Sequence, residues 1–223
     1  MKWQTFVGPP KRRVFHFTKV DNLPAMIQRG ALLSDCALRQ SGTSFAETGN
    51  PAIKQRRRDT PVSVEPGGVV GDYVPFYFAP QSPMLFEVAR KAFARFGRVQ
   101  DQLIYLVTEA DMLAARGEVV VTDRNAAKMT AAFSPGVGAI DDLVDWSLMS
   151  DQFWRNTLDE LDRKERRMAE LLVHGSVPLE LLTAIVVRTR LTEQLVQRHI
   201  SGSLLSRIPL CVFPNWYFDE TGW

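Results

Sequence analysis

Gly71-Asp72-Tyr73-Val74-Pro75-Phe76-Tyr77-Phe78, continued by Ala79-Pro80-Gln81-Ser82-Pro83-Met84-Leu85, holds the decisive reading in this 223-residue chain. Val74 to Phe78 is a short apolar, aromatic-rich run, the pattern of a buried strand. Ala79 to Ser82 reads as a turn. Ser82 is a good N-cap and Pro83 suits the first helical position, so a helix opens there and runs to about Phe96. Upstream, Val14-Phe15-His16-Phe17-Thr18 alternates like a strand, Asp21 or Asn22 caps a helix through Met26 to Arg29, and Gly30 ends it. Downstream, Leu103 to Thr108, Val119 to Thr122, Leu171 to Val173, Ile185 to Val187 and Leu210 to Val212 are strand candidates. Asp111 to Arg116, Asp141 to Met149, Leu158 to Leu171 and Thr192 to His199 are helix candidates. Strands and helices are interspersed without regular βαβ alternation, so the expected class is α+β.

Ser34 to Gly68 carries Ser, Gly, Asn and Pro with few apolar residues. It is expected to be a long loop with one helical turn around Ile53 to Arg58, and such loops in compact domains are usually functional or disordered. No linker, low-complexity tract or repeat divides the chain, which implies one domain over residues 1–223.

At 45% hydrophobic and 23% charged residues the composition is that of a globular protein. No apolar run reaches the ~18 residues of a membrane span, and the first residues lack the apolar stretch of a secretory signal. Cys36 and Cys211 form neither a disulfide framework nor a four-ligand zinc site, and the expected compartment is a reducing cytoplasm. The net charge is +2, but residues 1–58 carry +8 and the remainder −6. That asymmetry suggests an anionic partner met on one side, although a solvated basic surface reads equally well.

The common catalytic signatures are missing. His16, His174 and His199 have no zinc-ligand spacing, and no P-loop, dinucleotide fingerprint or nucleophile elbow occurs. Metal hydrolases, nucleotide kinases, Rossmann oxidoreductases and α/β-hydrolases are therefore set aside. What stands out is a few polar residues in unusual places. His16 and Thr18 share one face of a strand otherwise made of Val and Phe, as paired ligand contacts do, while a core histidine would also explain His16. Glu170 stands directly before the apolar run Leu171-Leu172-Val173, where a solvated helix-end carboxylate is the ordinary reading. Arg56-Arg57-Arg58 is either a solvated patch or an anion site.

Taken together, these pieces resemble the DNA ADP-ribosyltransferase toxin family, DarT. The resemblance is carried by His16-Phe17-Thr18 with Asp21-Asn22-Leu23 and Gly30, by Ile53 to Arg58, and by the long run from Gly71 to Phe78 with Ser82-Pro83-Met84-Leu85. It continues through Thr122-Asp123-Arg124, Asp145-Trp146, Trp154 and Ala169 to Val173, from about Val14 to Tyr217. It implies the ADP-ribosyltransferase fold, a split mixed β core with surrounding helices and a cleft for NAD⁺. NAD⁺ is then a consumed co-substrate, not a redox cofactor, and ADP-ribose passes to thymine or guanine in single-stranded DNA.

Residue by residue, the resemblance makes Glu170 the catalytic glutamate and Arg57 the assisting arginine, with Arg56 and Arg58 as register alternatives. His16, Thr18 and Asn22 match NAD⁺-binding positions, and Tyr73 and Tyr77 fall in the cleft wall. Lys54, Arg56 and Arg58 are expected at the DNA backbone, with exposed aromatics such as Trp154 or Phe45 stacking an unpaired base. A macrodomain antitoxin is the implied partner. The rival readings are a transferase of the same fold acting on RNA or protein, and an inactive nucleic-acid-binding module.

Overall fold

The computed structural model describes residues 3–42, 44–47, 51–93 and 99–219. Its strands are β1 (Arg13–Lys19), β2 (Ala31–Leu33), β3 (Tyr73–Tyr77), β4 (Leu103–Glu109), β5 (Val119–Thr122), β6 (Phe133–Pro135), β7 (Glu170–His174), β8 (Ser176–Pro178), β9 (Ala184–Val187) and β10 (Leu210–Val212). The helices are α1 (Leu23–Arg29), α2 (Asp35–Gln40), α3 (Pro51–Asp59), α4 (Pro83–Phe93), α5 (Ala110–Ala114), α6 (Ile140–Leu143), α7 (Trp146–Ser150), α8 (Arg163–Arg166) and α9 (Arg190–Ile200). Eight strands form one sheet in the order β10-β9-β4-β1-β3-β7-β5-β6, and β2 pairs with β8 beside it. Among the described residues only β9 and β10 run parallel, and every other pairing is antiparallel. This is a mixed sheet in an α+β fold, as the irregular alternation implied.

The sheet is split at its centre. β1 lies in register with β4 over its whole length, Arg13 opposite Glu109 to Lys19 opposite Leu103, yet it meets β3 only where Phe15 faces Tyr77. The carbonyl of Pro75 is reached by the His16 ring from β1, so Pro75 presents that edge of β3 to β1. A strand residue's N–H and C=O point to the same side, and proline has no N–H to offer there. The two strands therefore diverge beyond their single paired position.

A main core spans both halves, and a smaller cluster of Val62, Val70, Tyr73, Val120, Ala126 and Leu172 lies beside it. Phe15, Phe76, Phe78, Leu85, Leu103 to Leu106, Leu171 and Ile185 are fully or almost fully buried. Phe15 stands edge-on to Trp216 at 5.3 Å, and the Tyr217 hydroxyl donates to Leu103 O (3.1 Å) and Val186 O (3.0 Å). Each such aromatic contributes about 2–3 kcal/mol by burial, more where its polar tip is satisfied.

The strand expectations hold, as do the end of α1, where Gly30 adopts φ +70°, and the Ser82 cap of α4, whose Oγ accepts from Leu85 N (3.2 Å). α1 starts after Asn22 as expected, but the Asn22 side chain makes no capping hydrogen bond. Phe96, the expected end of α4, lies outside the described residues. Three expectations are corrected. The 34–68 stretch contains two helices, α2 and α3, because Ser34 caps α2 through Ala37 N and α3 is bound by charge instead of by an apolar face. The 141–149 helix is broken into α6 and α7 where Val144 is extended and the Asp145 side chain caps α7 through Leu148 N. The 158–171 helix shrinks to α8. There Arg167 is drawn into the core, donating to Leu148 O (2.6 Å), Met149 O (2.5 Å) and Pro80 O (2.9 Å), while Leu158 and Leu161 face solvent.

Candidate active site

A cleft of about 190 Å³ opens where β1 and β3 diverge, lined by His16 and Thr18 from β1 and by Tyr73, Pro75 and Tyr77 from β3. The wall also includes Met26 and Arg29 of α1, Leu32 of β2, Asp35 of α2, Lys54 and Arg57 of α3, and Phe45 and Asn125 from connecting segments. The alternation of β1 places Val14, His16 and Thr18 on one face, where Val14 is buried in the core and His16 and Thr18 reach the cleft.

His16 Nδ1 donates to Pro75 O (2.8 Å), since a carbonyl can only accept. Burial, together with the nearby charges of Lys54 and Arg57, lowers the His16 pKa to about 4. The ring is neutral at physiological pH, with Nε2 as an acceptor. Thr18 Oγ1 accepts from Asn22 Nδ2 (2.9 Å). The same amide clamps Ala46 through its N–H to Asn22 Oδ1 (2.7 Å) and its O to Asn22 Nδ2 (3.1 Å). Asn22 thus lines the cleft but spends its amide tying the 44–47 segment to β1. The Tyr73 hydroxyl donates to Gly67 O (2.6 Å) and that of Tyr77 to Met84 Sδ (3.2 Å), so both present rings to the cleft while their hydroxyls are held.

Glu170 is the first residue of β7, opposite Tyr77, and has no exposed surface. Its backbone N–H donates to Thr122 Oγ1 (3.1 Å), whose hydroxyl donates to Arg124 O (2.7 Å). Arg57 Nη1 donates to both carboxylate oxygens at 3.0 Å. Burial raises the Glu170 pKa, while the Arg57 charge and hydrogen bond and the backbone N–H of Ala126 oppose the rise. Arg57 lines the cleft and caps the carboxylate behind it. Its Nη2 is buried and has no hydrogen-bond partner among the described residues, a donor left over for a ligand.

The remaining expected site residues separate. Lys54 contacts Asp35 (3.1 Å) and Glu47 (2.5 Å) and lies over the Phe45 ring, and Arg58 donates to Asp35 (2.6 Å) and to Gln55 (2.9 Å). Both are turned into the protein; Arg56 is exposed. Lys11 and Arg12 are likewise paired, with Glu109 and with Asp111 and Asp141, so much of the basic N-terminal charge is answered inside the chain. Trp154 is a correction: it is 6% exposed and stacks edge-on against Phe86 and Phe218, partners distant in sequence, and offers no face to a base. The exposed apolar side chains nearby are Phe153, Leu158 and Leu161. Sequence reasoning missed Asp35 and Asn125 in the wall; Asn125 follows the quoted Thr122-Asp123-Arg124, which was its one signal.

The site thus joins a split mixed sheet, a cleft at the split and a buried carboxylate capped by an arginine. The family model described as ssDNA thymidine ADP-ribosyltransferase, DarT, matches residues 15–218. The DNA ADP-ribosyl transferase of Mycobacterium tuberculosis is 36% identical over 187 residues, 80% of this chain and 79% of that one. The structure of Thermus sp. 2.9 DarT in complex with ADP-ribosylated ssDNA superposes with a TM-score of 0.82 at 27% identity, covering 95% of this chain and 99% of the other. The same Thermus protein in complex with NAD⁺ gives 0.77 at 26% identity, with 94% and 99% covered. A DNA ADP-ribosyl transferase-DNA ADP-ribosyl glycohydrolase fusion protein of Thermosipho africanus is 22% identical over 213 residues, and this chain covers 94% of itself and 50% of the fusion. The chain belongs to the DarT family of single-stranded DNA ADP-ribosyltransferases.

Proposed function

We propose that this single-domain protein breaks the bond between nicotinamide and ribose in NAD⁺ and transfers ADP-ribose to a base of single-stranded DNA, with Glu170 and Arg57 as the reacting pair. The observation that carries the reading is the Arg57–Glu170 contact at the end of a cleft lined by His16 and Thr18. As nicotinamide leaves, the ribose gains oxocarbenium character that a carboxylate stabilises in a water-poor site. The base attacks the ribose carbon, and Glu170 takes the proton the base loses. A carboxylate whose pKa is raised by burial is the better base near neutral pH. Arg57 directs its spare Nη2 donor to negative charge developing on the base or to the diphosphate.

The DNA face is formed by exposed Arg56 and by the 151–162 loop, which leads toward Glu170 and carries Phe153, Leu158 and Leu161. The loop is held by Arg163, which donates to Asp151 Oδ2 (2.8 Å) and Phe153 O (2.9 Å), so its apolar side chains are presented on a fixed backbone and can stack unpaired bases. Thymine is the acceptor in this reading, on the description of the family. The fused Thermosipho relative, half of which is covered by this chain, supports a glycohydrolase antitoxin as partner. Among the described residues no helix is long and apolar enough to cross a membrane, and the cytoplasm, where DNA and NAD⁺ meet, is the proposed compartment.

The test is intact-mass analysis of thymine-only and guanine-only DNA oligonucleotides and an RNA mixture after incubation with NAD⁺, wild type beside Glu170→Gln. One ADP-ribose added to thymine DNA by wild type alone is the expected result. An adduct on RNA alone, or on protein in a cell extract, would transfer the assignment to that acceptor.

A further inference from the structure

α3 is seated by charge and by one close approach. None of its residues is buried, so no apolar face fixes its rotation. Asp35, at the start of α2, instead accepts from Lys54 Nζ at Oδ1 (3.1 Å) and from Arg58 Nη1 at Oδ2 (2.6 Å). Lys54 and Arg58 are four positions apart on one helical face, with Arg57 beside them. Gripping that face at two points with one carboxylate sets the rotation of the helix. A second, independent feature holds it close: a Cβ at Gly71 would lie 2.9 Å from Arg58 Cγ and from Cys36 Sγ, and 3.2 Å from the Arg58 Cα. The α3 backbone therefore rests on a position where only glycine fits.

We propose that Asp35 is a positioning residue for the transfer reaction: through Lys54 and Arg58 it sets the rotation of α3 that places Arg57 on Glu170. Both of its oxygens are already taken by cations, and its negative charge suits neither the NAD⁺ diphosphate nor DNA, so it acts through α3 and not on a substrate. Among the described residues, Glu170 pairs with Arg57 itself, and Glu47 reaches only Lys54 (2.5 Å), so Asp35 is the carboxylate that bridges two cations of α3. The inference rests on the reading of Arg57 and Glu170 as the reacting pair.

The experiment compares the full-length wild type, Asp35→Asn, Asp35→Glu and Arg57→Ala by DNA-modification kinetics across pH, with thermal midpoints for each. Asp35→Asn is expected to lose about tenfold or more in kcat, because small misplacements of a reacting group are costly. It should also move the acidic limb of the pH–rate profile upward, as Arg57→Ala does, since both take the guanidinium charge away from Glu170. Asp35→Glu should recover most of the rate, and all thermal midpoints should stay close to wild type. Wild-type kinetics in Asp35→Asn would overturn the inference. So would a loss of rate with an unmoved acidic limb, or one explained by a fallen midpoint. Should Arg57→Ala itself keep wild-type rate and profile, the reading of the reacting pair fails first.

Discussion

Glu170 and Arg57 touch, yet they come from regions built on opposite principles. Glu170 begins an interior strand, paired with β3 on one side, with its carboxylate sealed from solvent and its N–H held by Thr122. Arg57 sits on a helix with nothing buried, held by ion pairs to Asp35 and to Glu170 itself. The first region has its geometry fixed by packing and by the sheet ladder. The second has a geometry that salt, protonation or a competing anion can alter, because part-exposed ion pairs contribute little and are screened. A site that must admit NAD⁺ and then a nucleotide base thus has one jaw fixed by packing and one held by charge, the movable jaw.

The contrast is broken or sharpened by graded substitutions. The largest effect belongs to the fixed jaw: Glu170→Gln should lower DNA modification by roughly 10³-fold while the thermal midpoint stays near wild type, since Arg57 can turn to solvent from its exposed helix. A large fall in midpoint would show that the movable jaw is itself packed in place. Arg57→Ala should cost about 10²-fold in rate. It should also raise the Glu170 pKa further by removing the charge that opposes burial, so the acidic limb of the pH–rate profile moves to higher pH.

Next comes the cleft wall. His16 is held near pKa 4 in the fold, below its ordinary 6.5, so its contribution to stability is present above pH 6.5 and is lost as pH falls toward 4. The loss approaches 3 kcal/mol, on the order of the shift itself, and urea titrations of wild type and His16→Gln should converge at low pH. The smallest effect is at the rim. Arg56→Ala should weaken single-stranded DNA binding a few-fold and reduce the log–log salt slope by about 0.7, as one phosphate contact on a single strand requires. Arg58→Ala should leave that slope unchanged, because its guanidinium is committed to Asp35.

The strands of the fixed half are legible in the sequence, whereas the burial of Glu170, which reads locally as a solvated carboxylate, and the full length of α3 are not. Strands β1, β3, β4 and β7 declare themselves through apolar runs, and the alternation in β1 is enough to put His16 and Thr18 on one face. α3 has no apolar periodicity, so a pattern-based reading shortens it to one turn; its stability comes from charges on α2 that no local window contains. The same limit explains Trp154, which lies in a polar loop but packs against Phe86 and Phe218 from distant parts of the chain. It also explains the 158–166 segment, whose spacing suits a helix. There Arg163 pairs with Asp151 and Glu160 and Arg166 with Asp145, Glu160 and Asp162, so that residues 158–162 form a loop and the helix is confined to α8.

The sealed carboxylate also governs what the protein leaves undone. When no base is at hand, water is the competing acceptor for the ribose, and it too needs a carboxylate to strip its proton. Glu170, with no surface of its own and both oxygens under one guanidinium, offers bulk solvent no approach while α3 keeps its place. With Glu170 as the proposed base, nicotinamide release in buffer alone should therefore run far below the rate with single-stranded DNA, sparing NAD⁺ idle hydrolysis between encounters with the acceptor.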